Sequence, residues 1–383
     1  MLKSISIGVK RYLEIIILTS FTLGILIGMS NPDYGFLDVI NELFIKFFVL
    51  FSPIIIFLLI FLSSSKIVRG IGSSPIIGGK VLLYTLLYSY IAVIIATFYS
   101  LFFIRSLEVD PFKLFLMELI HIAPKILTSP LVISIISSIS LPLILRRYIV
   151  ENGDFLDRLY DIVIRSFRSI IFIMPIITFS FGYHLYVISK DIFIEYLIDS
   201  IKVELIYGIT YLGLSSIFTA IYSGVSVRRI FLYSLKTFIS CIPAGGSYMA
   251  LPINLKIYGE IFGDDVLGTL ALSMGASINR AASAGGAIII LEITSIYTGL
   301  NIGLGRLIAL GILIPFIALG SPGIFGGTLI VGISIIPEIL GISPDHPLAT
   351  LSLAMFISVL TYILAPLNTL TNGLIGIDLQ KKR

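Results

Sequence analysis

Arg280 is a charged residue within one of the most apolar parts of the chain. It lies in residues 275–286, which read Gly-Ala-Ser-Ile-Asn-Arg-Ala-Ala-Ser-Ala-Gly-Gly, with long apolar sequence on both sides. A charged side chain at the centre of a bilayer costs about 2.5–3.5 kcal/mol on insertion scales, so it usually marks a functional site with a partner. The surrounding Gly, Ser and Asn are typical of an interrupted membrane helix, whose freed backbone groups need local partners. We therefore interpret this segment as a broken membrane helix with a functional cation.

The composition indicates the broad class of protein. Of 383 residues, 57% are hydrophobic and 13% are charged, and the mean hydropathy is +1.06, whereas soluble domains carry about 25% charged residues. The net charge of +4 comes with no nucleic-acid-binding motif, so we predict no nucleic-acid partner. The single cysteine, Cys241, excludes an internal disulfide and a multi-cysteine metal site. HExxH and Gly-x-Ser-x-Gly patterns are absent, and we predict neither an enzyme nor a protein with a cofactor or metal.

Apolar runs and loop charges predict an all-α polytopic membrane protein with about eight transmembrane helices and two re-entrant hairpins. A span needs about 20 apolar residues. The first six candidate spans are 12–30, 38–64, 79–104, 114–145, 160–187 and 203–226. Lys and Arg concentrate in alternate loops, as the positive-inside rule requires of cytoplasmic segments. The pattern predicts a multi-pass protein of the cell membrane with both termini cytoplasmic and a retained first span.

The two hairpins are predicted from apolar stretches that are interrupted near their centres. Residues 230–258 are broken around Gly245, Gly246 and Ser247, and residues 304–340 are broken around Pro322, Gly323, Gly326 and Gly327. Each half is too short to cross about 30 Å of hydrocarbon. The loop charges place the first hairpin on the inner side and the second on the outer side, as in an inverted repeat. Paired interrupted segments of this kind indicate the binding site of a transporter.

The last third of the chain resembles a known family. Gly275 to Ser283 reads Gly-Ala-Ser-Ile-Asn-Arg-Ala-Ala-Ser, and the dicarboxylate/amino acid:cation symporter family (the glutamate/aspartate:sodium symporters) has Gly-Ala-Thr-Ile-Asn-Met-Asp-Gly-Thr in its seventh span. The likeness extends back to Ser247 and Pro252 and forward to Gly320–Gly327. The segment Asn368-Thr-Leu-Thr-Asn372-Gly resembles the family's Asn-Val-Thr-Gly-Asp in the eighth span. Weaker likeness covers the N-terminal half.

The resemblance implies a homotrimeric elevator-type transporter. A fixed scaffold would comprise residues 1–77 (spans 1–2) and 114–202 (spans 4–5), and a mobile transport domain would comprise 78–113 (span 3) and 203–383. The latter would contain span 6, hairpin 230–258, a broken span 7 at 263–300, hairpin 304–340 and span 8 at 346–377. The second hairpin would be the outer gate. The gate residues implied are Gly320, Ser321, Pro322, Gly326 and Gly327.

Departures from the family pattern argue against the usual sodium coupling. The family's two carboxylate sodium ligands fall on Ala281 and Asn372, and a threonine ligand falls on Tyr88. Hard cations favour charged oxygen ligands, so losing both carboxylates weakens any sodium site. The residual sodium-site positions are Gly275, Asn279, Asn368 and Ser89.

The substrate-reading charges of the family are also replaced. The arginine that reads an acidic side chain falls on Leu364, and the aspartate that holds the substrate amine falls on Thr361, whereas Asn368 is retained. We therefore expect a small amino acid or carboxylate-like solute other than an acidic amino acid. The substrate-binding residues expected are Ser247, Arg280, Ser283, Gly323, Ile324, Thr361, Asn368 and Asn372.

Three roles are open for Arg280. In the first, it is a permanent cation that replaces sodium, since a guanidinium stays protonated and presents five donors. In the second, it binds a carboxylate of the solute. In the third, it is a structural residue that pairs with Glu292. Glu292 is also a candidate proton-coupling carboxylate. Alternatives to a sodium-independent carrier are an anion-conducting channel, a receptor that binds without transport, and a conventional sodium-coupled symporter.

Overall fold

The computed structural model describes residues 16, 19–30, 34–69, 75–100, 130–242, 246–263, 265–321, 336–343 and 346–380. Secondary structure in these ranges is entirely helical, which confirms the predicted all-α class. The helices of the first half are α1 (Thr19–Met29), α2 (Gly35–Arg69), α3 (Pro75–Tyr99), α4 (Pro130–Ile144), α5 (Arg146–Glu151), α6 (Gly153–Ser189) and α7 (Phe193–Ser223).

The second half is more interrupted. Its helices are α8 (Val227–Cys241), α9 (Ser247–Phe262), α10 (Val266–Ile278), α11 (Ala281–Thr298), α12 (Leu304–Gly320), α13 (Ile336–Leu340), α14 (Pro347–Met355) and α15 (Thr361–Gln380), with a π-helical turn over Phe356–Leu360. The helices α8 and α9 pack against each other, within the predicted first hairpin. The predicted second hairpin has α12 as its first arm, and residues 322–335 lie outside the described residues.

Three helical stretches among the described residues are long and apolar enough to cross a membrane: Gly79–Tyr99, Phe193–Ser223 and Val266–Thr298. The chain is a multi-pass membrane protein. The third stretch differs from the others because 83% of its apolar window is buried inside the protein, against 44% for each of the others. A helix that is apolar on every side and covered on every side lies in the core rather than against lipid. The broken helix α10–α11 is therefore the central element.

Five helices of the described residues make the main contacts with α11 and fix its position: α3, α7, α12, α14 and α15. The preceding helix, α10, packs along α15. Small residues make this close packing possible, because α11 begins Ala-Ala-Ser-Ala-Gly-Gly-Ala and all seven of these residues are buried. The residues that interrupt the helix are thus held among several neighbouring helices.

The helix α7 differs from the predicted sixth span of 203–226. It begins at Phe193, ten residues earlier, and the predicted domain boundary at 202/203 falls within it. Glu195 and Asp199 precede the predicted span, but both lie in the first turns of the helix. Asp199 Oδ2 accepts a hydrogen bond of 2.7 Å from Tyr297 Oη on α11. This hydrogen bond from Tyr297 gives the Asp199 carboxylate a polar partner, so the charged residue can lie within the helix.

Candidate functional site

The site is built around a two-residue break between α10 and α11. Asn279 (φ −91°, ψ 114°) and Arg280 (φ −129°, ψ 37°) leave the helical conformation. A helix end leaves carbonyl groups without intrahelical partners, and a helix start leaves amides without them. The side chain of Asn279 meets part of this need, because its Oδ1 accepts a hydrogen bond of 3.0 Å from Ala281 N. The break thus carries its own local cap.

Arg280 directs its guanidinium back toward the end of α10. Its Nη2 donates to Ala276 O at 2.9 Å and its Nη1 donates to Asn279 O at 2.5 Å. Nη1 also lies 3.3 Å from Ser247 Oγ, at the start of α9. The side chain is buried, with 4% of its surface exposed. A positive charge here complements the negative end of the α10 dipole and binds the first hairpin to the broken helix.

The geometry does not support direct pairing of Arg280 with Glu292. The two residues are twelve positions apart, which corresponds to about 18 Å along a helix at 1.5 Å per residue. The guanidinium of Arg280 also turns toward Ala276, away from Glu292. Glu292 is itself buried, with 1% exposure.

A network of three asparagines and a serine joins the break to α15. Asn279 Nδ2 donates to Asn372 Oδ1 at 2.7 Å and lies 3.3 Å from Asn368 O. Asn368 Nδ2 donates to Ser283 Oγ at 2.7 Å, while Asn368 Oδ1 accepts from Ser283 N at 3.2 Å. All four side chains are buried. The predicted residues of spans 7 and 8 therefore form one polar cluster.

The Asn372 amide has two possible orientations. Rotated by half a turn, it would donate to Asn368 O at 3.2 Å and accept from Ala276 N at 3.3 Å, but its nitrogen would then face Asn279 Nδ2 at 2.7 Å. Two amide NH₂ groups cannot bond to each other, so the orientation with the oxygen toward Asn279 is preferred. Gly275 gives this amide its space, since a methyl group there would overlap Asn372 Oδ1.

Other predicted residues take part in local contacts. Thr361 Oγ1 donates to Phe356 O at 2.9 Å, and Ser89 Oγ donates to Thr85 O at 2.8 Å. Ser321 follows Gly320, the last residue of α12, and donates from Oγ to Ile317 O at 2.8 Å. Five predicted residues lie outside the described residues: Pro322, Gly323, Ile324, Gly326 and Gly327.

Three residues near this region were not identified from the sequence as site residues. Tyr207 Oη on α7 donates to Ala282 O at 2.8 Å, close to the break. Tyr211 Oη lies 3.0 Å from Thr371 Oγ1 on α15. Glu204, one turn before Tyr207, is fully buried. The available signal was a run of Glu and Tyr at helical spacing within an apolar span.

Tyr88, at the position of the family's threonine ligand, hydrogen-bonds to two residues of other helices. Its hydroxyl donates to Asp378 Oδ2 at 2.7 Å and lies 2.5 Å from Thr219 Oγ1. Asp378 is ten positions beyond Asn368 on α15, about 15 Å along the helix. The tyrosine at the position of the family's threonine therefore bonds away from the asparagine cluster.

Comparison with known proteins identifies distant relatives. No family model matches the chain. It is 25% identical over 396 aligned positions to the serine/threonine transporter SstT of Lacticaseibacillus casei, an alignment that covers 91% of this chain and 85% of that protein. The SstT of Lacticaseibacillus paracasei is 24% identical with the same coverage, and that of Acinetobacter baumannii is 27% identical over 111 residues, 29% of this chain and 27% of that protein.

The relatives agree with the sequence motifs and the fold. The two Lacticaseibacillus relatives align over 91% of the chain, and they are transporters rather than enzymes. The broken helix and the cluster with α15 occur at the positions where the family motifs were recognised. The relatives, the motifs and the helical fold together support a divergent member of the dicarboxylate/amino acid:cation symporter family.

Proposed function

We propose that this protein is a secondary transporter of a small neutral amino acid that works without the sodium coupling usual in its family. The single observation that carries the proposal is the contact of the Arg280 guanidinium with two backbone carbonyls at the helix break. In transporters with broken helices, such carbonyls and helix C-termini coordinate the coupling cation. Arg280 therefore supplies a permanent positive charge of the kind that a bound sodium ion supplies temporarily.

The neighbouring substitutions support the same interpretation. Asn279, Asn368 and Asn372 bring neutral amides together with no carboxylate in the hydrogen-bonded cluster that the described residues form. An added sodium ion beside the fixed charge of Arg280 would be repelled rather than attracted. We infer that the cycle runs without sodium.

The solute class follows from the polar groups near the break. Leu364 and Thr361 take the places of the family's two substrate-reading charges, and both are buried. Ser283 and Asn368 provide a hydroxyl and an amide, which bind polar but uncharged groups. The named function of the relatives, serine and threonine transport, suits such a site. Serine, threonine and alanine are therefore the first solutes to test, and acidic amino acids are expected not to bind.

The proposed movement is that of an elevator. The broken helix, the first hairpin and α15 are joined by Arg280 and the asparagine cluster, which suits a unit that moves as one body. The tip of the gate falls in residues 322–335, outside the described residues, and this part of the proposal rests on the sequence alone. Both termini are placed in the cytoplasm on the basis of the loop charges.

The decisive experiment measures counterflow of labelled serine in proteoliposomes, with sodium or choline as the external cation. We expect saturable counterflow at the same rate in both buffers. Strict dependence on sodium would favour the conventional symporter, and unsaturated ionic current would favour a channel. Solute binding without counterflow would favour a receptor.

The role of Arg280 is tested by Arg280→Met, with the exposed Arg228→Met as the matched control. We expect Arg280→Met to lose serine binding in choline and to regain part of it in sodium, because the carbonyls become available to an ion. It should also lose about 1–3 kcal/mol of stability, since buried acceptors lose their donors. Binding is measured by isothermal titration and stability by thermal unfolding.

The same variant separates the two functional roles. If Arg280 binds the solute carboxylate directly, Arg280→Met loses binding equally in both buffers. Binding that persists in choline, with no response to sodium, would contradict the role of Arg280 as a built-in cation.

A further inference from the structure

Glu204 is a buried carboxylic acid on α7. Its side chain has no exposed surface, and among the described residues neither Oε1 nor Oε2 has a hydrogen-bond partner. It lies on α7, eleven residues from the start of this 31-residue helix and nineteen from its end. An isolated ionised carboxylate in an apolar environment is far less stable than a neutral one, so such a group takes up a proton when it is buried. Its position within the membrane-spanning helix makes that proton functionally important.

The surroundings of Glu204 come from the two helices that also form the asparagine cluster. Its carboxyl lies against the Cα atom of Gly286 on α11, where an added methyl group would overlap Oε1. The same methyl group would lie 2.7 Å from each Cδ atom of Leu364 on α15. Gly286 and Leu364 thus leave space for the carboxyl group, and neither has a side chain that offers it a hydrogen bond.

Glu204 is one helical turn from the proposed solute site on both helices. Gly286 follows Ser283 by three positions, and Leu364 precedes Asn368 by four positions. One turn of helix rises about 5.4 Å. Because Ser283 and Asn368 bond to each other at 2.7 Å, the helix segments that enclose Glu204 are joined at the solute site. A solute that separates this pair changes the surroundings of the carboxyl.

Other titratable groups on α7, α11 and α15 include Lys202, which is exposed, and Tyr207, each within one turn of Glu204 on α7. Tyr207 and Tyr211 follow Glu204 on α7, and their hydroxyls are directed to Ala282 O and Thr371 Oγ1. On α11, Arg280 and Glu292 are each six positions from Gly286, about 9 Å along the axis. On α15, Tyr362 is two positions before Leu364. Asp378 is fourteen positions beyond Leu364, about 21 Å along the axis.

The remaining helices approach α7 nearer its ends. α6, which carries His184, meets it where the rings of Tyr186 and Phe193 are 5.4 Å apart. α8 carries Arg228, Arg229, Tyr233 and Lys236 and meets it where Ser234 Oγ is 2.8 Å from Ser216 Oγ. α3 carries Lys80, Tyr84, Tyr88, Tyr90 and Tyr99; the hydroxyls of Tyr84 and Tyr88 bond to Tyr222 and Thr219 of α7, fifteen or more positions beyond Glu204.

We propose that Glu204 is a proton-binding site that couples solute transport to the proton gradient, which rests on the proposed function as a carrier. When the solute site is open to one aqueous phase, Glu204 accepts a proton from that water. It carries the proton as a neutral acid while the site is closed, and it releases the proton to water on the other side. Arg280 supplies a fixed charge, whereas Glu204 supplies the exchangeable one.

The test compares wild type with Glu204→Gln, using Glu195→Gln as the matched control because Glu195 is an exposed glutamate on the same helix. In sodium-free proteoliposomes with an inward proton gradient, wild type and Glu195→Gln should accumulate labelled serine. Glu204→Gln should retain serine counterflow but lose accumulation, because its neutral side chain cannot release a proton. Glu204→Met, of similar volume and without polar atoms, should behave in the same way and serves if the amide prevents folding.

A second readout needs no solute. The infrared carbonyl band of a protonated carboxylic acid should be present in wild type and Glu195→Gln at neutral pH and absent from Glu204→Gln. Accumulation by Glu204→Gln equal to that of wild type, or an unchanged infrared band, overturns the proposal. If wild type shows serine counterflow but the proton gradient has no effect on serine transport, the proton-coupling proposal is overturned and the carrier function still stands. If Glu204→Gln loses the infrared band but wild type shows no serine counterflow, the result supports the proton-binding site and contradicts the carrier function.

Discussion

Arg280 and Glu204 are both buried in the interior, yet their side chains have very different surroundings. Arg280 donates to Ala276 O and Asn279 O and approaches Ser247 Oγ. Glu204 instead faces Gly286 and Leu364. A guanidinium cannot lose its charge in a protein and so requires acceptors, whereas a carboxyl can become neutral. The two residues therefore suit a fixed charge and a removable one.

The Ser283–Asn368 pair provides a prediction at this scale. Ser283→Ala removes the acceptor of Asn368 Nδ2, and a buried donor left without a partner costs about 1–3 kcal/mol. We expect a matching loss of stability in thermal unfolding. We also expect serine affinity to fall by about tenfold, the change that corresponds to about 1.4 kcal/mol.

The control for this variant is Ser273→Ala. Ser273 is an exposed serine on α10 whose hydroxyl bonds only locally, to Thr269 O at 2.8 Å. It should change neither stability nor affinity. Equal effects of the two substitutions would contradict a specific role for Ser283.

At the residue level, the sequence motifs singled out residues that lie together in the structure, and their role as site residues stays a prediction; Glu204 was not singled out. Ser247, Asn279, Arg280, Ser283, Asn368 and Asn372 were all singled out, and the structure brings them together. Glu204 was missed because the predicted span began at residue 203, which made it look like a border residue. Its burial depends on Gly286 of α11 and Leu364 of α15, which lie more than 80 positions away in the chain, and no local pattern reveals such a contact.

At the scale of elements, the start of α11 determines how closely its neighbours can approach. At Gly285, an added methyl group would overlap the Tyr207 hydroxyl and lie 2.6 Å from Ala92 O. The residue thus lies where α3 and α7 both contact α11. Small residues are used in this way in membrane proteins to bring helix backbones together.

Gly285→Ala should therefore force these three helices apart. Overpacking of a dense interior costs about 1–3 kcal/mol, and we expect that loss in thermal unfolding of the purified protein. Gly213→Ala is the matched control on α7, where an added methyl group meets nothing within 4 Å. The control should be neutral or stabilising by up to about 1 kcal/mol, because alanine favours helix. A Gly285→Ala variant as stable as the control would contradict the close packing.

The element boundaries were predictable where helix-breaking residues mark them. The Gly, Ser and Asn residues around 279–280 correctly indicated a break, which lies between Ile278 and Ala281. The start of α7 could not be predicted from the charged residues, because Asp199 accepts a hydrogen bond from Tyr297, which lies on a helix distant in sequence. The π-helical turn at Phe356–Leu360 had no evident signal in the sequence.

At the scale of the whole molecule, apolar surface remains on the first long helix. Phe36, Leu43, Leu50 and Ile54 of α2 are each 58–71% exposed. In a membrane protein such side chains contact lipid or another protein surface. The helix lies in the part of the chain that the family resemblance assigns to a trimerisation scaffold.

We therefore predict a homotrimer in detergent and in bilayers. Native mass spectrometry of the purified protein should give three times the mass of the 42.1 kDa chain, with a minor monomer at high collision energy. A monomeric mass under gentle conditions, supported by single-step photobleaching in liposomes, would contradict the trimer.

The buried guanidinium of Arg280 has a consequence for the response of the carrier to membrane voltage. Under the proposed mechanism, the same fixed charge accompanies the moving part in both directions, so a complete cycle with a neutral solute transfers none of it. Each half-cycle nevertheless moves it through the electric field, which contributes up to about 2.3 kcal/mol per 100 mV for a full crossing. While Glu204 carries its proton, the charge of Arg280 is not compensated, and a negative interior favours the inward-facing position of the loaded carrier. After Glu204 releases the proton the two charges cancel, so the empty carrier returns with little dependence on voltage.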